Sequence, residues 1–397
     1  MKTHYELDFI GGVYAYTINQ NNLGSFSISV HLQDSVDQQV LQQAVNDLIK
    51  RLPYINGRLT SDLQYEILTT PPKIKLDKVP VTFTDYYNHG QGHMLRILYG
   101  PLHIRVEVTH IMTDGRGVVS ITRALIVRYF ELLGIEMDKT GIIDCTKQMT
   151  LEESENAYER FANSEPIKRK PKKPKIKAYK HEHLKTTTAR VITKNFELEK
   201  IKENAKIHEV TISEYILTHI FLAIAKERDK SGDVHKPITA NIPVDLRSFF
   251  QTSTIRNFIG SSPNIIIREA GEFAEVSSQI RSQFEAITKS YLQAEINEFE
   301  ISRKQLKSMP KLIRKLLLKF VMSQMYKETT TMFSNLGLVK FPKEIESRIN
   351  YLDFDNSPIA SLPYLFSCIT FGNTLTLSIT VTIESEEIIS QVFDSLK

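Results

Sequence analysis

The sequence predicts an α+β protein made of two domains with similar architecture. Three observations support this prediction. The 397 residues exceed what one ordinary core accommodates, segments that alternate like strands are interleaved with segments of helical periodicity, and the same strand-to-helix order occurs in each half. Hydrophobic residues make up 41% of the chain and charged residues 24%, which is typical of a globular protein and not of a disordered or fibrous one.

The first half begins with a strand and a helix. The letters FSISVHL alternate from Ser25, and helical periodicity then runs from an N-cap at Asp34 or Ser35 to a break at Pro53. Further elements predicted here are short strands near 65–68 and 79–83, a strand over 102–110, and a helix over about 117–133.

A basic segment separates the two halves. PIKRKPKKPKIKAYK, at 166–180, holds eight Lys or Arg and three Pro without apolar periodicity. We interpret it as an extended, solvated linker. The alternative is that it attracts a phosphate-rich ligand or an acidic partner protein. Nucleic acid is disfavoured as a partner because Tyr179 is the one aromatic residue in this segment and no nucleic-acid-binding motif is present.

The second half repeats the order of the first. A strand with the letters ARVITKNFEL precedes two helical segments that are broken near Thr211, with Ser213 as a possible N-cap. Further elements predicted here are strands over 238–243 and 264–268 and a long helix over about 274–298.

A last helix, from Pro310, has a broad apolar face. That face consists of Leu312, Ile313, Leu316, Leu317 and Phe320, with lysines and Arg314 towards the other side. We expect the face to pack against its own domain. The alternative is that it lies on a membrane surface, which would suit a lipid acceptor.

Charge and composition exclude several classes of protein. The net charge of +4 is too small an excess to indicate nucleic acid as the partner of the whole molecule. Cys145 and Cys368 lie far apart without CxxC spacing, so neither a disulfide framework nor a zinc site is indicated, and a reducing cytoplasm is expected. We also expect no secretory signal and no membrane span, since the longest apolar stretch, 215–225, is too short.

The six letters HIMTDG, 110–115, carry the clearest chemical signal. His110 ends a strand, and Asp114 and Gly115 follow at the turn into a helix. A histidine at a strand end can project into a cleft. Because its ordinary pKa of about 6.5 leaves it largely neutral at cytoplasmic pH, it is a candidate general base.

Four blocks in order give a resemblance to a known family. They are HIMTDG, NIPVDLR at 241–247, NFIGSSPNIIIR at 257–268 and TTTMFSNLGLVKFP at 329–342. Together they resemble the CoA-dependent acyltransferase superfamily of chloramphenicol acetyltransferase, the plant BAHD acyltransferases and peptide-synthetase condensation domains. The chain is most similar to bacterial alcohol acetyltransferase-like members. HxxxDG alone is a modest signal, whereas four ordered blocks are a strong one.

The resemblance implies a fold and a reaction. It implies two chloramphenicol-acetyltransferase-like lobes, each a mixed β-sheet with helices, with an active-site tunnel between them and His110 midway along it. We place the N-terminal lobe at 1–165, the linker at 166–188 and the C-terminal lobe at 189–397. The implied reaction is direct transfer of an acyl group from an acyl-CoA such as acetyl-CoA to an alcohol or amine, with His110 as the base and no acyl-enzyme.

The same resemblance assigns roles around the histidine. Asp114 is expected to point away from the tunnel and to pair with Arg247, which would hold the turn that presents His110. Gly115 is expected to allow the tight backbone that this turn demands. A tetrahedral intermediate also needs a donor for its oxyanion. Asn264, Ser334 and Asn335 are candidates, although Asn264 could instead order its strand and SNLG could be a turn.

Departures from the relatives narrow the prediction. Condensation domains usually carry two adjacent histidines, whereas Thr109 precedes His110 here, and the DFGWG block of the plant enzymes is missing because the chain has no Trp. An alcohol or amine acyltransferase is therefore expected. We also expect a monomer, since the two-lobe plan needs no partner to form its site, and no metal. Two alternatives remain: an acyl carrier protein as donor, docked on the basic segment, and a binding module without catalysis that senses a thioester or lipid.

Overall fold

The computed structural model describes residues 4–19, 22–60, 64–77, 92–163, 176–181, 185–261 and 264–397. The strands in these ranges are β1 His4–Tyr5, β2 Ser25–Leu32, β3 Gly57–Leu59, β4 Tyr65–Ile67, β5 Lys75–Leu76, β6 Arg96–Gly100, β7 His103–Thr109, β8 Lys185–Glu197, β9 Ile238–Asn241, β10 Pro243–Asp245, β11 Ile259–Ser261, β12 Ile265–Ile267, β13 Thr331–Leu338, β14 Ile349–Asn356, β15 Tyr364–Phe371 and β16 Thr374–Ile383.

The α-helices in the same ranges connect and cover these strands. They are α1 Phe9–Thr17, α2 Gln38–Arg51, α3 Gly115–Leu132, α4 Ala157–Phe161, α5 Leu198–Ile207, α6 Ile212–Lys230, α7 Phe273–Glu285, α8 Lys289–Ser308, α9 Lys311–Lys327, α10 Lys343–Glu346 and α11 Glu387–Ser395.

Two mixed sheets define two lobes, which confirms the predicted fold class. The first sheet has the order β14-β2-β7-β6-β5, and the second has the order β12-β9-β13-β15-β16-β8. Each contains both parallel and antiparallel pairs: β5 is parallel to β6 in the first, and β13 is parallel to β9 and β15 in the second. Each sheet buries one face against helices, α2 and α3 in the first lobe and α6, α7 and α11 in the second.

One strand crosses the predicted domain boundary. β14 belongs to the C-terminal half of the chain but pairs antiparallel with β2 at the edge of the first sheet. Its end is tied back to the second sheet, where Asn356 donates to the Ser367 hydroxyl at 2.6 Å and accepts from the Thr380 hydroxyl at 2.6 Å. A boundary at 189 therefore does not separate the two sheets completely.

Several element boundaries differ from the predicted ones because of local capping. The side chain of Asp37, not Asp34 or Ser35, caps α2. Thr211, not Ser213, caps α6, in a capping box with Glu214. The predicted long helix over 274–298 is two helices, since Thr288 caps the start of α8. The strand predicted near 79–83 lies outside the described residues.

The basic segment is described only at its end. Residues 164–175 and 182–184 lie outside the described ranges. Tyr179 is buried and pairs its backbone N–H with the carbonyl of Pro237 at 2.8 Å, and the buried His181 ring lies 2.9 Å from the Glu227 carboxylate. The interpretation of a solvated linker is therefore wrong for 178–181, because apolar contacts and hydrogen bonds hold this part on the second lobe.

The last long helix is present, but its expected packing is wrong. On α9 the apolar face lies in solvent: Leu312 is 69% exposed, Leu316 61% and Phe320 62%. The helix contacts α1 through the other side, where Leu318 is buried with Val13 and Tyr16.

No helix in the described ranges is by itself both long enough and apolar enough to cross a membrane, although α5 and α6 taken together, with a bend of 81° between them, reach that length and composition.

Candidate functional site

His110 follows directly on β7, the central strand of the first sheet. Its backbone N–H donates to the carbonyl of Gly24 at 3.0 Å, which anchors the strand end. The imidazole contacts two aromatic rings. The ring of Tyr14 on α1 stacks on it with centroids 4.7 Å apart, and the ring of Phe26 on β2 lies 4.4 Å away. The two rings restrict the orientation of the imidazole.

Asn257 contacts both the ring and the backbone of His110. Its amide Nδ2 donates to the carbonyl of His110 at 2.9 Å, and its Oδ1 lies 3.5 Å from Nδ1 of the ring, at the long end of the hydrogen-bond range. A backbone carbonyl only accepts, so the amide orientation is determined: Nδ2 faces the carbonyl and Oδ1 faces the ring. This contact favours, in the neutral form, the tautomer with the proton on Nδ1 and the lone pair on Nε2.

Asp8 positions Asn257 through a hydrogen bond to its amide. Its carboxylate accepts from Asn257 Nδ2 at 3.1 Å and, as the N-cap of α1, from the N–H of Gly11 at 2.8 Å. Arg256 lies 3.5 Å from the same carboxylate and also donates to the carbonyl of Glu6 at 2.7 Å. Burial raises the pKa of Asp8, and the charge of Arg256 opposes that shift. The network links α1 to the ring of His110.

The environment of His110 favours its neutral form. Burial is the largest influence and lowers the pKa of the imidazole below its ordinary value. The charge of Asp114 and hydrogen bonding to Asn257 and to the Thr113 backbone oppose this shift only in part. At neutral pH the ring therefore has an unprotonated nitrogen.

Asp114 points away from the imidazole and into the protein. One carboxylate oxygen caps α3 by accepting from Gly117 N at 2.8 Å, and the other accepts from Arg247 at 3.0 Å and from the N–H of Phe258 at 2.6 Å. Asp114 is fully buried and Arg247 nearly so. The structure thus places Arg247 against Asp114, in the arrangement that the resemblance implies.

Gly115 is needed for space and not for an unusual backbone conformation. Its φ is not among the positive values, so a left-handed conformation is not what this position requires. A Cβ at this position would lie 2.6 Å from Cδ2 of Leu336, in the SNLG block of β13. At Gly117 a Cβ would lie 2.0 Å from the Thr113 hydroxyl and 2.4 Å from the carbonyl of Ile255. Both glycines let the turn after β7 pack closely against the second half of the chain.

Two of the three oxyanion candidates use their amides for structure. Asn264 donates to the carbonyl of Glu328 at 3.0 Å and to the hydroxyl of Thr329 at 3.2 Å, so it orders the start of β12. Asn335 donates to Ser213 at 3.0 Å, and its Oδ1 accepts from Gly337, whose φ is +69°. This bond stabilises the bulge in β13. Among the described residues, both N–H donors of Asn264 are therefore engaged, whereas Asn335 keeps one N–H donor beyond its bond to Ser213.

Ser334 is the third candidate. It lies on β13 in register with Ser367 of β15, two positions before Leu336, which contacts the HIMTDG turn. Its hydroxyl makes no hydrogen bond within the described ranges.

Sequence reasoning missed Asn257, Asp8 and Tyr14. Asn257 is the first letter of the block NFIGSSPNIIIR, so the block was recognised but its first residue was not singled out. Asp8 and Tyr14 lie in the segment DFIGGVYAY, where Asp8 before an apolar run is an N-cap signal. Asp8 contacts Asn257, 249 positions away, and Tyr14 contacts His110, 96 positions away. No local sequence pattern predicts contacts over such distances.

Two cavities adjoin the network on the side of Asp8 and Arg256. One of about 440 Å³ is lined by Asp8, Gly12 and Arg314, and another of about 1310 Å³ is lined by Arg256, Arg51 and Arg303, among other residues. His110 lines neither of them, so its place midway along a tunnel stays a prediction. Within the described ranges, no group of three or more His, Cys, Asp or Glu side chains is arranged to hold a metal ion.

Comparison with solved structures identifies the fold. No family model matches the sequence, and a search of curated proteins finds no match. The chain is similar to polyketide synthase associated protein 5 from Mycobacterium tuberculosis, with a TM-score of 0.67 and 15% identity over 100% of this chain and 97% of that one.

Two further structures are similar over nearly their full lengths. A trichothecene 15-O-acetyltransferase from Fusarium sporotrichioides gives a TM-score of 0.60 and 12% identity over 98% of this chain and 93% of that one. The starter condensation domain of rhizomide synthetase, solved with C8-CoA, gives 0.58 and 11% over 99% and 93%. The chain therefore has the two-lobed fold of these solved structures, as its sequence blocks predict.

Proposed function

We propose that the protein transfers an acyl group from a thioester to a hydroxyl or amine, with His110 as the general base. The observation that carries this proposal is the amide of Asn257, whose Oδ1 faces Nδ1 of the ring and so favours the tautomer with its lone pair on Nε2. The lowered pKa of His110 keeps that nitrogen unprotonated at neutral pH.

The reaction needs only proton transfer and direct attack. Nε2 of His110 takes the proton from the acceptor hydroxyl or amine as its oxygen or nitrogen attacks the thioester carbonyl carbon. The tetrahedral intermediate then collapses, the C–S bond breaks, and the imidazolium returns the proton to the departing sulfur. The Ser334 hydroxyl is our candidate donor to the oxyanion.

The remaining residues position the base. Asp114 and Arg247 hold the turn and the segment 256–258, and Asn257 and Asp8 fix the ring. These residues are positioning residues, because they act through His110.

For the donor we propose an acyl-CoA, with acetyl-CoA as the first choice. Solved structures of the same fold include an acetyltransferase and a condensation domain bound to C8-CoA, so both short and medium acyl chains suit the fold. An acyl carrier protein is the second candidate. It is favoured by the basic composition of 166–180, whose charges complement an acidic carrier surface.

The experiment is a donor and acceptor panel. Purified protein is mixed with acetyl-CoA, octanoyl-CoA or an acylated carrier protein together with alcohols and amines, and free thiol and acylated product are measured. We expect stoichiometric thiol and product with at least one pair. Thioester binding without product from any pair would overturn acyl transfer and favour a binding module.

A further inference from the structure

A stripe of large apolar side chains lies in solvent along α9. Its members, here called the α9 stripe, are Leu312, Ile313, Leu316, Leu317, Phe320 and Val321, and their exposed fractions range from 39% to 69%. They form two rows with a spacing of four residues, 312, 316 and 320 beside 313, 317 and 321, which places them on one side of the helix. Contiguous exposed apolar surface of this kind marks an interaction site more often than a chance arrangement.

The opposite side of α9 fixes the helix to the protein. Leu318 is buried against Val13 and Tyr16 of α1, with Met322 packed beside them. Arg314 donates to the hydroxyl of Tyr16 at 2.9 Å and to the carbonyl of Met309 at 2.9 Å. The helix is therefore held in one orientation, and its stripe faces away from α1.

The charged side chains of α9 have one sign. Residues 311–327 contain five Lys or Arg and no Asp or Glu. Lys315 and Lys319 are exposed and, at four-residue spacing, lie along one edge of the stripe. An apolar face bordered by lysines is the pattern of a helix that lies in a membrane interface, where the lysines meet anionic headgroups. The 17 residues of α9 are too few to span a bilayer.

We propose that the α9 stripe docks the protein on an anionic lipid surface, with α9 parallel to the membrane plane. The lysines beside the stripe complement anionic headgroups. A second copy of the chain is the less favourable occupant, because a symmetric contact through α9 would bring the lysines of both copies together. The proposal goes beyond the proposed function and does not require it, since it concerns binding alone.

Docking would bring the candidate site near the lipid. α9 rests on α1, and α1 carries Tyr14, whose ring stacks on His110. A lipophilic alcohol or acyl chain leaving the bilayer would then start close to this helix.

The test is co-sedimentation of the full chain with vesicles. Vesicles of phosphatidylcholine alone are compared with vesicles that contain phosphatidylglycerol as well. We expect binding to the anionic vesicles and much weaker binding to the neutral ones. The Lys315→Gln/Lys319→Gln variant should bind anionic vesicles about tenfold more weakly, and the Leu316→Asn/Phe320→Asn variant should lose binding.

Matched variants elsewhere on the surface distinguish vesicle binding by the α9 stripe from nonspecific binding by exposed apolar or basic side chains. Leu151→Asn/Val234→Asn removes two side chains that are 92% and 56% exposed outside the stripe, and Lys206→Gln/Lys226→Gln removes two exposed lysines on α5 and α6. Both controls should bind like the wild type. Unchanged thermal unfolding of all variants, measured in parallel, shows that they are folded.

Three outcomes would overturn the proposal. They are a wild type that does not bind anionic vesicles, equal binding to both kinds of vesicle, and stripe variants that bind as well as the wild type. A concentration-dependent dimer that the Leu316→Asn/Phe320→Asn variant loses, without vesicle binding by the wild type, would assign the stripe to a second copy. Because no acyl transfer is measured, a failure of the proposed function would leave this test unaffected.

Discussion

Asp114 and Arg247 form an ion pair of 3.0 Å that fixes the backbone on both sides of Asn257. Arg247 donates to the carbonyl of Arg256 at 2.6 Å, and Asp114 accepts from the N–H of Phe258 at 2.6 Å. Asn257 in turn bonds to the carbonyl of His110 at 2.9 Å. The pair therefore acts on the imidazole through the residue between its two backbone contacts.

Breaking this pair should destabilise the protein. Arg247→Gln leaves the buried Asp114 carboxylate without its cation, and we expect a loss of about 3–5 kcal/mol of stability, measured by denaturant unfolding. Asp114→Asn should cost less, because Arg247 keeps the carboxylate of Asp245 at 2.9 Å.

An exposed pair provides the control. Arg348 and Asp34 lie 2.9 Å apart with side chains 47% and 67% exposed, so Asp34→Asn should cost no more than about 1 kcal/mol. Equal losses in the buried and exposed variants would contradict the role assigned to Asp114.

Three glycines should respond to alanine in a definite order. Gly117→Ala places a Cβ 2.4 Å from the backbone carbonyl of Ile255, which cannot move aside easily, and should cost about 2–3 kcal/mol or more. Gly115→Ala meets only the end of the Leu336 side chain and should cost less. Gly12→Ala, within α1 and with no atom within 4 Å, should be neutral or stabilising. Thermal unfolding checks the order, and a Gly117→Ala protein as stable as Gly12→Ala would contradict the close packing of the turn.

The pH profile should report on Asn257. His110 acts as a base only when neutral, so kcat/KM should fall as the pH drops through its pKa, and because burial lowers that pKa this fall should lie below about 6.5. Hydrogen bonding to Asn257 raises the pKa, so in Asn257→Ala the fall should move to still lower pH while the maximal rate drops about tenfold or more.

Asn56 offers a matched control for this measurement. It is buried, donates to the carbonyl of Leu68 at 2.7 Å, and its Oδ1 lies 2.8 Å from Nδ1 of His93, so it holds another histidine in the same way. Asn56→Ala should lower stability without moving the acid limb of the profile. If Asn257→Ala and Asn56→Ala shift the acid limb of the profile equally, or if neither variant shifts it, Asn257 does not position the base.

The sequence was sufficient where a motif resembles a known one and insufficient where only residue type or periodicity was available. The blocks HIMTDG and PVDLR predicted which residues would lie together, because their motif resembles a known one. Asn264 and Asn335 were assigned by residue type, but which carbonyl or hydroxyl an amide meets depends on neighbouring strands. The exposed face of α9 was predicted to be buried, because periodicity shows that a face is apolar and not what covers it.

The most direct test of the account is thiol release by the His110→Ala variant. With the best donor and acceptor pair, wild type, His110→Ala and the control His93→Ala are compared at equal concentration, and thermal unfolding of each is recorded. The account predicts that His110→Ala, folded, loses about 100-fold or more of the rate, while His93→Ala keeps the wild-type rate. A folded His110→Ala protein that releases thiol and forms product as fast as the wild type would contradict it.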